Sequence, residues 1–293
     1  VGSSANPTMN LKKSGEWRRA SVSPRPVKLL NIPAMRFVDI DGIRLELQHV
    51  PVPAGAAPAA APLVFLHEGL GSVALWRDWP ARLCAATGRA GWVYSRRGYG
   101  RSSPVPDVRG AGRLPPDYLH REALHVLPRL LRALDIERPV LVGHSDGATI
   151  ALIHAAHHPV TAGVAMAPHV MVEDVCLRAI EQTRQAFESG GLRARLARFH
   201  DDVDGAFWQW NDAWLNPDFR GFDIRGELRA IQAPLLAIQG VDDGYASMAQ
   251  LDDIAAALPH TRLLKLPACG HAPHQDQPQA VNAAIADLLA GLE

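Results

Sequence analysis

Several features that would assign a protein to a specialised class are missing from this sequence. Lys and Arg number 30, as do Asp and Glu, so no net charge attracts nucleic acid. The three cysteines, Cys84, Cys176 and Cys269, are too widely spaced for a disulfide framework or a metal site, which favours a reducing compartment. No apolar run approaches the ~20 residues that cross a bilayer. We therefore expect a cytoplasmic protein without a metal, a membrane association or a nucleic-acid partner.

The first 34 residues differ in composition from the rest of the chain. They contain several serines, a single acidic residue, Glu16, and the basic residues Lys12, Lys13, Arg18, Arg19, Arg25 and Lys28. They lack the apolar core of a secretory signal. A transit-type peptide and a disordered tail both fit, and the lack of an amphipathic period favours the tail. We expect the folded part to begin near residue 35.

Short apolar runs alternate with helical patterns between residues 63 and 167. This alternation predicts a parallel sheet with helices on both faces, preceded by a hairpin that turns at Asp41-Gly42. One helix is expected at about 117–134, kinked at Pro128. Residues 168–230 hold no clear strand, and we interpret them as a helical cap inserted into a core formed by 35–167 and 231–293.

The segment Gly143-His144-Ser145-Asp146-Gly147 joins an apolar strand to an apolar helix. A G-x-S-x-G in that context is a nucleophile elbow. The two glycines are needed because the turn is too tight for a Cβ and the helix packs close to the strand. Ser145 is then held at the tip of the turn, above free N–H groups of the helix N-terminus.

A serine hydroxyl needs a nearby base, and that base needs an orienting acid. Two loops that follow later predicted strands can supply them, because sites form at the carboxyl ends of parallel strands. The loop 239–244 offers Asp242 and Asp243, and the loop 268–274 offers His271 and His274. The two histidines lack a third ligand for a metal site. Cys269, which has no elbow, is expected to be a packing residue.

Together these motifs resemble the α/β-hydrolase superfamily, in the branch with a helical cap after the sixth strand. The resemblance covers about residues 35–292 and rests on the segments 143–147, 240–243 and 269–274. It implies a doubly wound, mostly parallel eight-stranded sheet and no cofactor. It also implies the roles of Ser145 as nucleophile, Asp243 as acid and His271 as base.

The resemblance also places an oxyanion hole, which needs two backbone N–H donors. The expected donors are Asp146, directly after the nucleophile, and Gly69 in the loop 67–71, with Leu70 as the runner-up. Glu68 stands where relatives have glycine, and we expect its side chain to point away and form buried or peripheral hydrogen bonds. The Asp146 carboxylate suits the first turn of a helix. The alternative is that it holds a substrate amine.

Two further groups of side chains have no single role that the sequence decides. The aromatic residues between 207 and 222 could form the core of the cap or line the substrate pocket. The candidate pocket residues are Leu70, Trp208, Trp210 and Trp214. The arginines of the loop 96–102 are expected to be solvated.

The predicted function is hydrolysis of a small-molecule carboxylic ester through an acyl-enzyme. Amide or amino-ester hydrolysis and C–C bond hydrolysis are alternatives on the same triad. Many C–C hydrolases carry Trp directly after the catalytic histidine, whereas this chain has Ala272. A non-catalytic ligand-binding protein on the same fold is the alternative from another class. The sequence leaves the oligomeric state open, a homo-oligomer included.

Overall fold

The computed structural model describes residues 35–52 and 61–292. The predicted leader (1–34) and most of the Pro/Ala-rich loop before the first parallel strand lie outside these residues. No helix of the described part is long and apolar enough to span a membrane.

The described residues form one eight-stranded sheet in the order β1-β2-β4-β3-β5-β6-β7-β8. The first three strands in this order pair antiparallel and the remaining pairs are parallel, in agreement with the expected fold. The strands are β1 Met35–Ile40, β2 Ile43–Val50, β3 Leu63–Leu66, β4 Gly91–Tyr94, β5 Val140–His144, β6 Ala162–Met166, β7 Leu235–Gly240 and β8 Arg262–Leu266.

The predicted hairpin joins β1 to β2. Its turn residues Asp41 and Gly42 have φ angles of 54° and 78°, the left-handed conformation that a two-residue hairpin turn requires. The Gly42 N–H donates to Asp39 Oδ1 at 2.8 Å, which closes the turn.

Helices cover both faces of the sheet and connect the parallel strands. They are α1 Trp79–Thr87, α2 Tyr118–Arg121, α3 Leu127–Ala133, α4 Asp146–His157, α5 Asp174–Glu188, α6 Gly191–Leu196, α7 Val203–Trp214, α8 Arg225–Leu228, α9 Ala249–Ala257, α10 Pro273–Asp276 and α11 Pro278–Ala290. Strands β3, β5, β6 and β7 are buried along their whole length, as expected for strands covered on both faces.

The helix predicted over 117–134 is not a single α-helix. A π-helical turn at Glu122–Val126 separates α2 from α3. Pro128 follows this turn at the start of α3. Because Pro128 has no N–H to donate, an interruption of the α-helical hydrogen bonds is expected near this position.

The stretch between β6 and β7 contains the helices α5 to α8. An isolated bridge between Met171 and Asp223 ties its two ends together. Phe187 and Phe207 stack inside it with ring centroids 3.7 Å apart. Part of the aromatic cluster is therefore the core of this helical insert.

Candidate active site

The turn after β5 holds Ser145 in a conformation that few L-residues adopt. Its φ and ψ are 53° and −119°, and its N–H donates to Met166 O at 2.9 Å. A Cβ on Gly143 would lie 2.3 Å from Gly147 O, and one on Gly147 would lie 2.0 Å from Leu66 O. Both flanking positions therefore require glycine. Strain of this kind is typical of functional sites.

The three side chains predicted as a triad lie in one hydrogen-bonded chain. His271 Nε2 is 3.0 Å from Ser145 Oγ. On the other side of the ring, His271 Nδ1 is 2.9 Å from both carboxylate oxygens of Asp243. This order of contacts allows His271 to accept the serine proton while Asp243 orients the ring.

The structure separates the two candidate acids and the two candidate bases. Asp243, whose side chain is fully buried, contacts His271, whereas Asp242 is exposed. Burial alone would raise the pKa of Asp243, but the His271 contact and the Tyr245 N–H at 2.8 Å lower it below its ordinary value. His274 is buried against Trp76 and does not contact the serine.

The two predicted oxyanion donors lie beside Ser145. Gly69 and Asp146 line the same pocket as the serine. A Cβ on Gly69 would lie 2.1 Å from Trp210 Nε1, so the indole packs directly on this glycine. Leu70, the runner-up, lines the pocket too, but its carbonyl lies 3.0 Å from His200 Nε2, which donates to it. Gly69 and Asp146 are thus in the pocket where an oxyanion hole for Ser145 would have to form.

The pocket above Ser145 has a volume of about 180 Å³. Its lining residues are Glu68, Gly69, Leu70, Ser145, Asp146, His169, Cys176, Ile180, Trp210, Trp214, Tyr245 and His271. Of the four residues expected in the pocket, Leu70, Trp210 and Trp214 lie in this lining and Trp208 does not. Because Trp208 projects from a different side of α7 than Trp210 and Trp214, its ring packs on Phe187 and under Arg109 instead.

The Asp146 carboxylate is fully buried and accepts from three donors. Arg96 Nη2 at 3.3 Å and the Tyr118 hydroxyl at 2.9 Å donate to Oδ2, and Trp214 Nε1 at 3.1 Å donates to Oδ1. The expectation of solvated arginines is therefore wrong for Arg96, which is buried, although Arg97 on the same loop is exposed. The donors fix the carboxylate at the start of α4, where the helix dipole also favours it.

Glu68 lines the pocket, and its carboxylate faces His144. Its Oε2 lies 3.5 Å from His144 Nδ1, and the opposite nitrogen of His144 donates to the His271 carbonyl oxygen at 2.6 Å. Burial opposes both charges, but the contact lowers the pKa of Glu68 and raises that of His144. The Glu68 and His144 side chains thus connect the pocket lining to the backbone of the predicted base.

A larger cavity of about 560 Å³ lies between the β1–β2 hairpin, the loop 96–115 and α2. It contains none of the triad residues, and it shares Arg96 and Tyr118 with the Asp146 contacts. The smaller pocket is the candidate site because it contains the reactive groups. Among the described residues, no group of three His, Cys, Asp or Glu side chains could hold a metal ion.

Sequence reasoning missed several residues of the pocket. The packing of the insert places Cys176 and Ile180 there, and no motif marks them. Tyr245, whose ring centroid lies 4.7 Å from that of His271, comes two residues after Asp243. His169 comes two residues after the predicted strand-and-helix alternation ends at residue 167. The rule that sites form at the carboxyl ends of parallel strands could have identified it.

Comparison with known proteins agrees with this fold. The model of the Alpha/beta hydrolase family matches residues 63–284. The chain belongs to the α/β-hydrolase family. A protein named "Putative carbamate hydrolase RutD" from Pseudomonas savastanoi pv. phaseolicola is 29% identical over 257 residues, which cover 79% of this chain and 95% of that protein. A protein of the same name from Escherichia coli O7:K1 is 27% identical, with coverage of 80% and 93%.

Solved α/β hydrolases share the architecture at lower identity. The enol-lactonase from Burkholderia xenovorans LB400 superimposes with a TM-score of 0.68 at 20% identity, covering 87% of this chain and all of that one. Such a likeness shows the fold alone. The family match and the relatives together support hydrolase activity for this α/β hydrolase.

Proposed function

We propose that this α/β hydrolase cleaves a small carboxylic ester through an acyl-enzyme on Ser145. His271 Nε2 takes the hydroxyl proton as Ser145 Oγ attacks the carbonyl carbon. The N–H groups of Gly69 and Asp146 stabilise the oxyanion. When the tetrahedral intermediate collapses, the ester C–O bond breaks and His271 returns the proton to the departing alcohol. His271 then deprotonates a water molecule, which attacks the acyl carbon and releases the acid and Ser145.

The observation that carries this proposal is the contact chain from Ser145 Oγ through His271 to Asp243, with distances of 3.0 and 2.9 Å. Ser145 and His271 line the 180 Å³ pocket. Pockets for drug-sized ligands span roughly 300–1,000 Å³. The smaller volume favours a substrate with a short acyl or alcohol group.

The test is hydrolysis of p-nitrophenyl esters of increasing acyl length by the wild type and by Ser145→Ala. We expect activity in the wild type with an optimum at short chains, and none above background in the variant. Equal rates in the two proteins would refute serine acyl transfer. Activity in neither would refute the ester as substrate.

A carbamate is the second candidate, because the curated relatives at 27–29% identity carry the name carbamate hydrolase. The same serine attack on a carbamate carbonyl would give a carbamoyl-enzyme. Comparing p-nitrophenyl acetate with p-nitrophenyl N-methylcarbamate separates the candidates, because the two acyl groups are close in size. A higher kcat/KM on the acetate supports the ester. A higher value on the carbamate favours the second candidate.

Other observations and tests bear on the amino-ester and non-catalytic alternatives. Asp146 already accepts from three donors, which disfavours its binding of a substrate amine. If Asp146→Asn changed the preference between amino esters and plain esters, that role would be restored. A non-catalytic binding protein would leave Ser145 unlabelled by a fluorophosphonate in the folded protein.

A further inference from the structure

His169 is held rigidly at the end of β6. Thr149 Oγ1, from the helix behind the nucleophile, donates to the His169 carbonyl oxygen at 2.8 Å and receives the His169 N–H at 3.1 Å. Both backbone groups of the residue therefore bond to one hydroxyl. These bonds fix the backbone from which the imidazole projects.

The imidazole of His169 lines the same pocket as Ser145. Its ring centroid lies 5.7 Å from that of His271 and 5.0 Å from that of Trp214, which meets it edge-on. Only 2% of the residue is exposed, and its Nδ1 has no hydrogen-bond partner in the described part of the chain. Among the described pocket residues, His169 alone combines burial with an unpartnered side-chain atom. Buried polar atoms almost always have a partner, so an exception calls for one.

The ring is neutral under the conditions in which the enzyme would work. Burial, followed by the nearby His271, lowers the pKa of His169 to about 3. A neutral imidazole offers one N–H donor and one nitrogen acceptor. It can therefore bond a hydroxyl, a carbonyl or an amide without adding a charge to the pocket.

The neighbouring polar groups already have partners. The Tyr245 hydroxyl is 2.7 Å from Thr183 Oγ1, and the Glu68 carboxylate faces His144. Asp146 accepts from Arg96, Tyr118 and Trp214. None of these groups competes for the His169 nitrogen, so the partner that fits is one that enters with the substrate.

We propose that His169 determines specificity by hydrogen-bonding a polar substituent on the substrate group that fills the pocket. The proposal rests on the proposed ester hydrolysis and narrows its substrate class. The preferred ester carries a hydroxyl, oxo or amide group. An isosteric ester without that group leaves the His169 nitrogen unpaired, and a single neutral hydrogen bond then discriminates by roughly tenfold.

The test compares isosteric ester pairs bound to the inactive Ser145→Ala variant, with dissociation constants from NMR titration. Methyl 3-hydroxypropanoate against methyl butanoate places the hydroxyl in the acyl group. 2-Hydroxyethyl acetate against propyl acetate places it in the alcohol. We expect the hydroxylated member of one pair to bind about tenfold more tightly. When His169→Phe is added to Ser145→Ala, the ratio of the two dissociation constants should fall close to one. When His169→Gln is added instead, part of the ratio should remain, because glutamine keeps a donor and an acceptor.

Fluorophosphonate labelling of Ser145 in the single variants His169→Phe and His169→Gln checks that the site remains assembled. Equal or undetectable binding within both pairs, or a ratio that survives in a labelled His169→Phe protein, overturns the inference. Hydrolysis by the wild type tests the proposed function separately. If the wild type hydrolyses none of the four esters, ester hydrolysis fails, whereas the binding ratios in Ser145→Ala still decide the role of His169.

Discussion

The buried ion pair beside the nucleophile gives a sharp stability prediction. The Arg96 and Asp146 side chains are 5% and 1% exposed, and Arg96 Nη2 lies 3.3 Å from Asp146 Oδ2. Arg96→Met keeps most of the side-chain volume but leaves the carboxylate without its cation. Breaking a buried pair in this way costs about 3–5 kcal/mol of unfolding free energy. We expect the lower part of this range, because Tyr118 and Trp214 still donate to Asp146.

Two controls with smaller expected losses set the scale for that value. Tyr118→Phe removes one hydrogen bond to a charged group, which costs roughly 1.5–3 kcal/mol. Arg121→Met breaks the exposed contact of Arg121 with Asp117, which is worth about 0–1 kcal/mol. The assay is urea denaturation at neutral pH followed by tryptophan fluorescence and circular dichroism. A loss for Arg96→Met no larger than that for Arg121→Met would refute the stabilising role of the buried pair.

Three further predictions concern the pocket, the triad and the buried histidines. Trp210→Ala should shift the acyl-length optimum of ester hydrolysis towards longer chains, whereas Trp208→Ala should not; a shift in both would contradict the assigned lining. Asp243→Asn should lower kcat by roughly 10³- to 10⁴-fold because it disturbs the orientation of the base, and a change below tenfold in a folded variant would argue against that role. Burial lowers the pKa of His274 to about 3, so its contribution to stability is full above pH 6.5 and is lost as pH falls. In urea titrations between pH 5 and 6, His274→Phe should reduce the dependence of unfolding free energy on pH by up to about 1.4 kcal/mol per unit, and an unchanged slope would count against the buried neutral ring.

The parts of the fold that the sequence predicts correctly are those set by local patterns. Alternating apolar runs locate the strands, and Asp41-Gly42 identifies the hairpin turn. The elbow is predictable because only glycine tolerates the contacts at 143 and 147. The convergence of Ser145 with the loops 239–244 and 268–274 follows from the meeting of strand ends at one edge of a parallel sheet, whereas the choice of Asp243 and His271 within those loops comes from the family resemblance.

What could not be predicted depends on packing between distant segments. Arg96 lies in a polar loop that looks exposed in the sequence. Its burial depends on its contact with the carboxylate of Asp146, which is 50 positions later in the chain. Trp208 and Trp210 are both tryptophans on α7. Trp210 lines the pocket and Trp208 packs on Phe187 in the insert only because their side chains point in different directions.

The central claim is that Ser145 is the nucleophile. The most direct measurement is fluorophosphonate labelling of the folded wild type and of Ser145→Ala, with the modified peptide identified by mass spectrometry. The account predicts one label per chain on the peptide that contains Ser145, and none in the variant. A label on another residue, or no label in a wild type whose fold is verified by circular dichroism, would contradict it.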